Sequence, residues 1–149
     1  MIDFSATTAF RLVRQLAVAG RDAPSIYLLV CETAAMGAVR TDLEAEVQVQ
    51  LGVDLRSLSS AEVQPERLGD VFSHGTAWPV ILITLDRWLP KLADSFDRNI
   101  VLLARSGTVL FVAGRDIAER VLAAAPNLRN RLTDILLITP DETFGDPPA

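Results

Sequence analysis

Three acidic side chains, Glu32, Asp86 and Asp116, stand just beyond short apolar runs of the sequence. If those runs are parallel strands, their carboxyl ends lie at one edge of a sheet, which is where such sheets bind ligands. Carboxylates gathered in a crevice can act as general acid and base or hold a divalent cation. The three acids are therefore the candidate catalytic set of a hydrolase or a nucleotide-dependent enzyme.

The stretch 32–39 stands where a nucleotide-binding fold carries its phosphate-binding loop. Such a loop needs glycines, so that backbone N–H groups converge on the phosphates, with a lysine for their charge and a hydroxyl for magnesium. Laid on G-x-x-x-x-G-K-[ST], only Gly37 agrees, while Ala38 replaces the lysine and Val39 the hydroxyl. Glu32 at the loop entrance also repels a polyphosphate. No nucleotide is expected to bind, and we favour close helix–strand packing as the role of Gly37.

The clearest predicted strand, 79–85, ends in Asp86 followed by Arg87. In nucleotide hydrolases such a strand ends in an acid that holds magnesium, next to a glutamate that activates water. Here arginine replaces that glutamate, so hydrolysis is not expected, and we favour helix capping as the role of Asp86. The residual crevice of the predicted sheet comprises Glu32, Thr33, Gly37, Asp86, Arg87, Arg115 and Asp116.

Cys31 and His74 are the only cysteine and the only histidine of the chain. With a nearby acid they are the residue types of a nucleophilic thiol triad. His74, however, follows a predicted helix that ends at the opposite edge of the sheet, so we favour a buried, structural thiol. One cysteine and one histidine are too few for a structural zinc site. No metal and no other cofactor is expected.

The 149 residues include 19 acidic and 14 basic ones, giving a formal net charge of −5. This charge disfavours nucleic acid as a partner, because phosphates require a basic surface. No apolar run approaches the ~18 residues of a membrane helix, so no membrane partner is expected. The single cysteine and the lack of a basic-then-apolar leader predict a cytoplasmic protein.

Five strands are predicted, at 26–30, 53–58, 79–85, 109–113 and 135–139. The run 26–30 is continuously apolar, which is typical of a strand buried on both faces, whereas 53–58 is a weaker strand. Apolar spacings of three and four residues predict helices at 3–20, 33–52, 61–72, 89–107 and around 117–122, with a short piece at 127–132. A hairpin over 99–114 is the alternative to the fourth helix. The expectation is a single α/β domain over residues 1–140. It has three layers, with a largely parallel sheet of about five strands and helices on both faces.

The first helix is predicted to be capped by Asp3 or Ser5. Its predicted buried stripe is Ala6, Phe10, Val13 and Ala17. Thr33 is the predicted cap of the second helix, and Gly52 is its predicted end.

The element order, with an acidic third strand, resembles a P-loop ATPase domain. The segments Asp97-Arg98-Asn99, 109–112 and Ala125-Pro126-Asn127-Leu128, together with Leu103 and Ile135-Leu136, resemble the later part of bacterial STAND-type ATPase domains. The likeness extends over 26–139 in element order. The departures at Ala38, Val39 and Arg87 imply an inactive relative, of the kind that serves as an adaptor in bacterial signalling and conflict systems.

The resemblance therefore implies a non-catalytic adaptor that acts through protein contacts, with another protein or with itself. Arg131 stands where related ATPases hold an arginine that reaches a neighbour's nucleotide, although a solvated helix-end arginine is the simpler reading. Trp88 and Phe144 are the other candidate contact residues, the latter in the acidic, proline-rich tail (residues 141–149). A receiver-like switch with Asp86 as phosphoacceptor remains a further alternative. Strand order separates these folds, because the first predicted strand lies between the fourth and fifth in the ATPase but between the second and third in the receiver.

Overall fold

The computed structural model describes residues 5–19, 25–53, 55–67, 80–101 and 107–141. They form a six-stranded, all-parallel sheet flanked by helices, which confirms the predicted α/β class with one strand more than expected. The strands are β1 (Ser5–Thr8), β2 (Ser25–Cys31), β3 (Leu55–Ser59), β4 (Val80–Leu85), β5 (Thr108–Gly114) and β6 (Asp134–Thr139). The helices are α1 (Ala9–Ala19), α2 (Met36–Glu46), α3 (Pro90–Arg98), α4 (Arg115–Ala124) and α5 (Pro126–Arg131). Two 3-10 turns, Thr33–Ala35 and Pro65–Arg67, and a π-helical turn, Val47–Leu51, complete the described elements.

The strands lie in the order β1-β6-β2-β5-β4-β3, so the five predicted strands correspond to β2 through β6. β2 occupies the middle of the sheet, between β5 and β6. Its residues are buried except for the half-buried Tyr27, as expected for a parallel strand with helices over both faces. Cys31 pairs in register with Gly114, so the carboxyl ends of β2 and β5 meet at one edge of the sheet.

Two helical layers enclose the sheet. α1 and α2 cover one face, where Leu12 and Leu43 are fully buried against the strands. α3, α4 and α5 cover the other face. There the ring of Phe96 meets that of Phe111 edge to face, with centroids 5.0 Å apart.

The N-terminal segment differs from its prediction. Residues 5–8 form β1 on the free side of β6, and the helix begins only at Ala9. The predicted caps are wrong for the described residues, because the hydroxyl of Thr8 accepts a hydrogen bond from the N–H of Arg11 at 3.3 Å. Asp3 lies outside the described residues. The edge of β6 provides backbone partners for this segment, a long-range pairing that local spacing cannot reveal.

The later start of α1 also changes which side chains are buried. Ala9, Leu12 and Val13 face the core, whereas Phe10 is 47% exposed and Ala17 is exposed. The predicted stripe was therefore wrong at Phe10 and Ala17, because it was extended from Ala6, which belongs to the strand. Phe10 is therefore left on the outer surface of α1 together with Val18.

The remaining elements follow the predictions with local differences. Gly52 ends the second helix with φ 66°, as predicted. Thr33 does not cap α2, because it lies inside the 3-10 turn that precedes that helix. The helix predicted over 61–72 is a 3-10 turn at Pro65–Arg67 within the described part, and 68–72 lie outside it. The fourth helix is present as α3 over its first half, and 102–106 lie outside the described residues. β5 has a parallel neighbour on each side, which excludes the hairpin for its described residues.

Candidate functional site

The connection from β2 to α2 is where the resemblance to P-loop ATPases predicts a phosphate-binding loop. Glu32 alone separates β2 from the 3-10 turn, and the N–H of Ala35 donates to the carbonyl of Glu32 at 2.9 Å. Among the described residues only Gly52 and Gly107 have positive φ, and neither lies in this connection. A phosphate cradle needs successive N–H groups that converge on one concavity. Here the chain turns directly into a helix and forms no such cradle.

Gly114, and not Gly37, is the glycine that close approach requires at this edge. A Cβ added at Gly37 meets no atom within 4 Å, so the packing role predicted for Gly37 is wrong. A Cβ at Gly114 lies 3.0 Å from the side-chain oxygen of Thr33, which is tighter than ordinary contact. This contact joins the ends of β2 and β5, and the sequence gives no sign of it beyond a glycine that follows an apolar run.

Asp86 forms a hydrogen bond across the strand ends. Its carboxylate accepts from the hydroxyl of Ser60, whose N–H donates to the carbonyl of Thr84 at 2.8 Å. The predicted capping role is wrong, because α3 begins after Leu89 and has no side-chain cap. Arg87 is exposed beside Asp86, where an ATPase would carry its water-activating glutamate.

The three candidate acids have separate surroundings. Asp116 lies 3.4 Å from Arg120, one turn further along α4, and both side chains are largely exposed. Glu32 is exposed beside Cys31. Within the described residues, no hydrogen bond or ion pair joins Glu32, Asp86 and Asp116 to one another. No group of three histidine, cysteine, aspartate or glutamate side chains in the described part of the chain is placed to hold a metal ion.

Cys31 closes β2 as a buried thiol, 3% exposed. Burial raises its pKa above the ordinary value of 9.0, and the neighbouring charge of Glu32 raises it further. A nucleophilic cysteine requires the opposite shift, toward the thiolate. His74, its candidate partner, lies outside the described residues.

Trp88 packs partly into the core cluster beneath α3 and α4. It lines an apolar depression with Leu92, Phe96 and Ile117, whose enclosed space of about 10 Å³ is no larger than a single water needs. Packing therefore accounts for most of its surface. Phe144 lies outside the described residues.

Arg131 lies in the last turn of α5, at the edge of the sheet opposite the crevice. The following loop fixes this position, since the N–H of Thr133 donates to the carbonyl of Ile26 at 2.7 Å, at the amino end of β2. Arg131 therefore cannot serve the crevice of its own chain. Arg115, by contrast, opens α4 directly beyond Gly114, at the crevice edge.

Asp97 has a role that the sequence does not reveal. Its Oδ1 accepts hydrogen bonds from the N–H groups of Asn127 at 2.6 Å and Leu128 at 3.0 Å, and its Oδ2 accepts from the side-chain amide of Asn127. The carboxylate of α3 thus caps the first turn of α5. The segments Asp97-Arg98-Asn99 and Ala125-Pro126-Asn127-Leu128 are therefore in direct contact.

Comparisons with family models, with curated proteins and with solved structures find no significant match to this chain. Among the described helices, none is both long enough and apolar enough to cross a bilayer.

Proposed function

We propose that the chain is a non-catalytic, P-loop ATPase-like adaptor that acts through protein contacts. The observation that carries the proposal is the β2–α2 connection. It occupies the phosphate-binding position of that fold, yet it is a closed 3-10 turn that begins with an acid. Neither a lysine nor a hydroxyl follows Gly37 to complete a nucleotide site.

The strand order supports the ATPase-like part of this proposal. β2, the first predicted strand, lies between β5 and β6, the fourth and fifth. A receiver-like sheet would instead have β3 beside β2, whereas β3 lies at the far edge of this one. β1 is an addition to the five-stranded order and pairs only with β6 in the sheet.

The surroundings of the crevice residues support a non-catalytic role. Asp86 accepts a hydrogen bond from Ser60 and Asp116 pairs with Arg120, and within the described part of the chain neither forms a hydrogen bond with Glu32. General acid–base catalysis requires groups within hydrogen-bond reach of the same substrate atoms. These surroundings favour protein contact over catalysis, and Arg131 is exposed at the sheet edge opposite the crevice.

Calorimetric titration with Mg-ATP tests the proposal directly. We expect no saturable heat up to 1 mM nucleotide, because nothing in the β2–α2 connection compensates the phosphate charge; a 1 mM dissociation constant corresponds to about 4 kcal/mol. A melting curve with excess Mg-ATP should likewise show no stabilisation. Saturable, magnesium-dependent binding would contradict the adaptor proposal. Glu32→Gln is the matched variant, and any binding that it uncovers would identify the entrance acid as the barrier.

A further inference from the structure

α1 has an outer face that is both apolar and basic. Phe10, Arg14 and Val18 follow one another at steps of four residues and therefore form one row along the helix. Phe10 is 47% exposed and Val18 is 83% exposed. Arg11 and Arg14 are both exposed, and α1 contains no acidic residue although the chain as a whole is acidic.

The end of the described chain is fixed at the start of this row. Asp141 accepts a hydrogen bond from the N–H of Phe10 at 2.9 Å through its carboxylate. Its own N–H donates to the carboxylate of Asp42 on α2 at 2.8 Å. The described chain therefore ends at Asp141, beside Phe10 and between α1 and α2.

The composition of residues 142–149 complements α1. They carry Glu142, Phe144 and Asp146 and no basic residue. Beside the end of the described chain, α2 offers the like charge of Asp42, whereas α1 offers the opposite charges of Arg11 and Arg14. Electrostatic attraction therefore favours α1 over α2 as the surface for residues 142–149.

We propose that residues 142–149 dock on the outer face of α1 of their own chain, with Phe144 covering Val18 and Phe10. The distances allow it. Three residues extend about 10 Å, and eight extend about 27 Å. Phe10 and Val18 are eight helical residues apart, about 12 Å. The inference does not depend on the adaptor proposal, and if both hold, a partner that takes Phe144 has to displace it from α1.

The test compares two exposed valines by urea unfolding. Val18→Ser should raise the unfolding equilibrium constant about fivefold, because Val18 is covered by Phe144. Val49→Ser is the control, since Val49 is 79% exposed and belongs to the π-helical turn Val47–Leu51 rather than to α1. It should change the constant less than twofold. In a Phe144→Ala background, Val18→Ser should also change it less than twofold, because both changes remove the same contact.

A charge exchange tests the electrostatic part. Arg14→Glu should destabilise the chain, and adding Asp146→Arg should recover at least half of that loss. Equal, small effects of Val18→Ser and Val49→Ser would overturn the proposal, as would additive effects of Val18→Ser and Phe144→Ala. Sedimentation equilibrium shows whether the tail docks on its own chain or on a second copy. A monomer supports docking within one chain. A dimer that Phe144→Ala dissociates would overturn it in favour of exchange between two copies.

Discussion

Asp94 and Asp97 lie one turn apart on α3 and have different partners. Asp97 accepts two backbone N–H groups of α5, whereas Asp94 forms only an exposed ion pair with Arg98 at 3.1 Å. Asp97→Ala should lower the free energy of unfolding by about 0.5–2 kcal/mol, since it leaves a helix terminus uncapped. Asp94→Ala is the control and should cost less than about 0.5 kcal/mol. Urea unfolding of both variants measures this, and equal effects would show that the cap contributes nothing.

The thiol of Cys31 makes stability depend on alkaline pH. Its pKa is raised in the folded chain by burial and by Glu32, so the unfolded chain loses this proton first. The stability that the neutral thiol contributes is therefore fully present below pH 9.0, and it is lost as pH rises above that value. Burial, and to a lesser extent the charge of Asp134, raise the pKa of Tyr27 above its ordinary value of 10.0. Its contribution to stability is therefore lost only as pH rises above 10.0.

Cys31→Ala should consequently move the onset of the alkaline decline from about pH 9 to about pH 10. Urea unfolding between pH 8 and pH 10.5 gives the slope in each variant. The comparison concerns slopes, so any constant loss from the smaller side chain does not matter. An unchanged onset would mean that the folded thiol ionises as freely as the unfolded one.

Among the elements, those with continuous apolar sequence were predictable. β2, β4 and β5 lie within one or two residues of their predicted positions. A strand that is buried on both faces needs apolar residues at nearly every position, so it is visible in the local sequence. β1 was not predicted, because it is held by an edge of β6 that is remote in sequence. The cap from Asp97 to α5 was missed for the same reason.

The location of the candidate site could be predicted from the sequence, but the contacts of its side chains could not. Topology placed Glu32, Asp86 and Arg115 at one edge of the sheet, and the structure has them there. The partners of Asp86 and Asp116, namely Ser60 and Arg120, depend on side-chain direction, which strand order does not determine. The close approach at Gly114 could not be predicted either, because it involves Thr33, which follows a different strand.

β4 is the element whose core contribution can be measured most directly. Leu82 is fully buried and pairs in register with Ser57 on one side and Leu110 on the other. Leu82→Ala should cost about 2–5 kcal/mol, from lost transfer energy and the cavity left behind. Val49→Ala, at an exposed site, should cost less than about 0.5 kcal/mol. A loss below about 1 kcal/mol at Leu82 would mean that this face of β4 is poorly packed.

At the scale of the whole molecule, an adaptor and an enzyme respond differently to loss of the crevice acids. The triple change Glu32→Gln, Asp86→Asn, Asp116→Asn removes charge at nearly constant shape. Partner binding should persist, whereas an enzyme that used these acids would lose at least about 10²-fold in rate. Phe144→Ala should instead weaken the partner complex by about 2 kcal/mol or more if it is an anchor.

Both variants need melting curves, so that a folding defect is not mistaken for lost function. Calorimetric titration with a partner purified on the wild-type chain gives the affinities. Loss of function in the triple variant, with Phe144→Ala unaffected, would reject the adaptor and direct attention back to the crevice.

The position of β6 has a consequence for how the chain assembles. β1 and β2 are the first strands to be synthesised, yet β6 lies between them in the sheet. Ser5 pairs with Leu136, and Ile26 pairs with Val109, so neither early strand has a sheet partner until most of the chain exists. Such non-local pairing slows folding. β2 therefore stays without its sheet partners until β5 and β6 have been synthesised, and incomplete chains with an unpaired apolar strand are prone to aggregate.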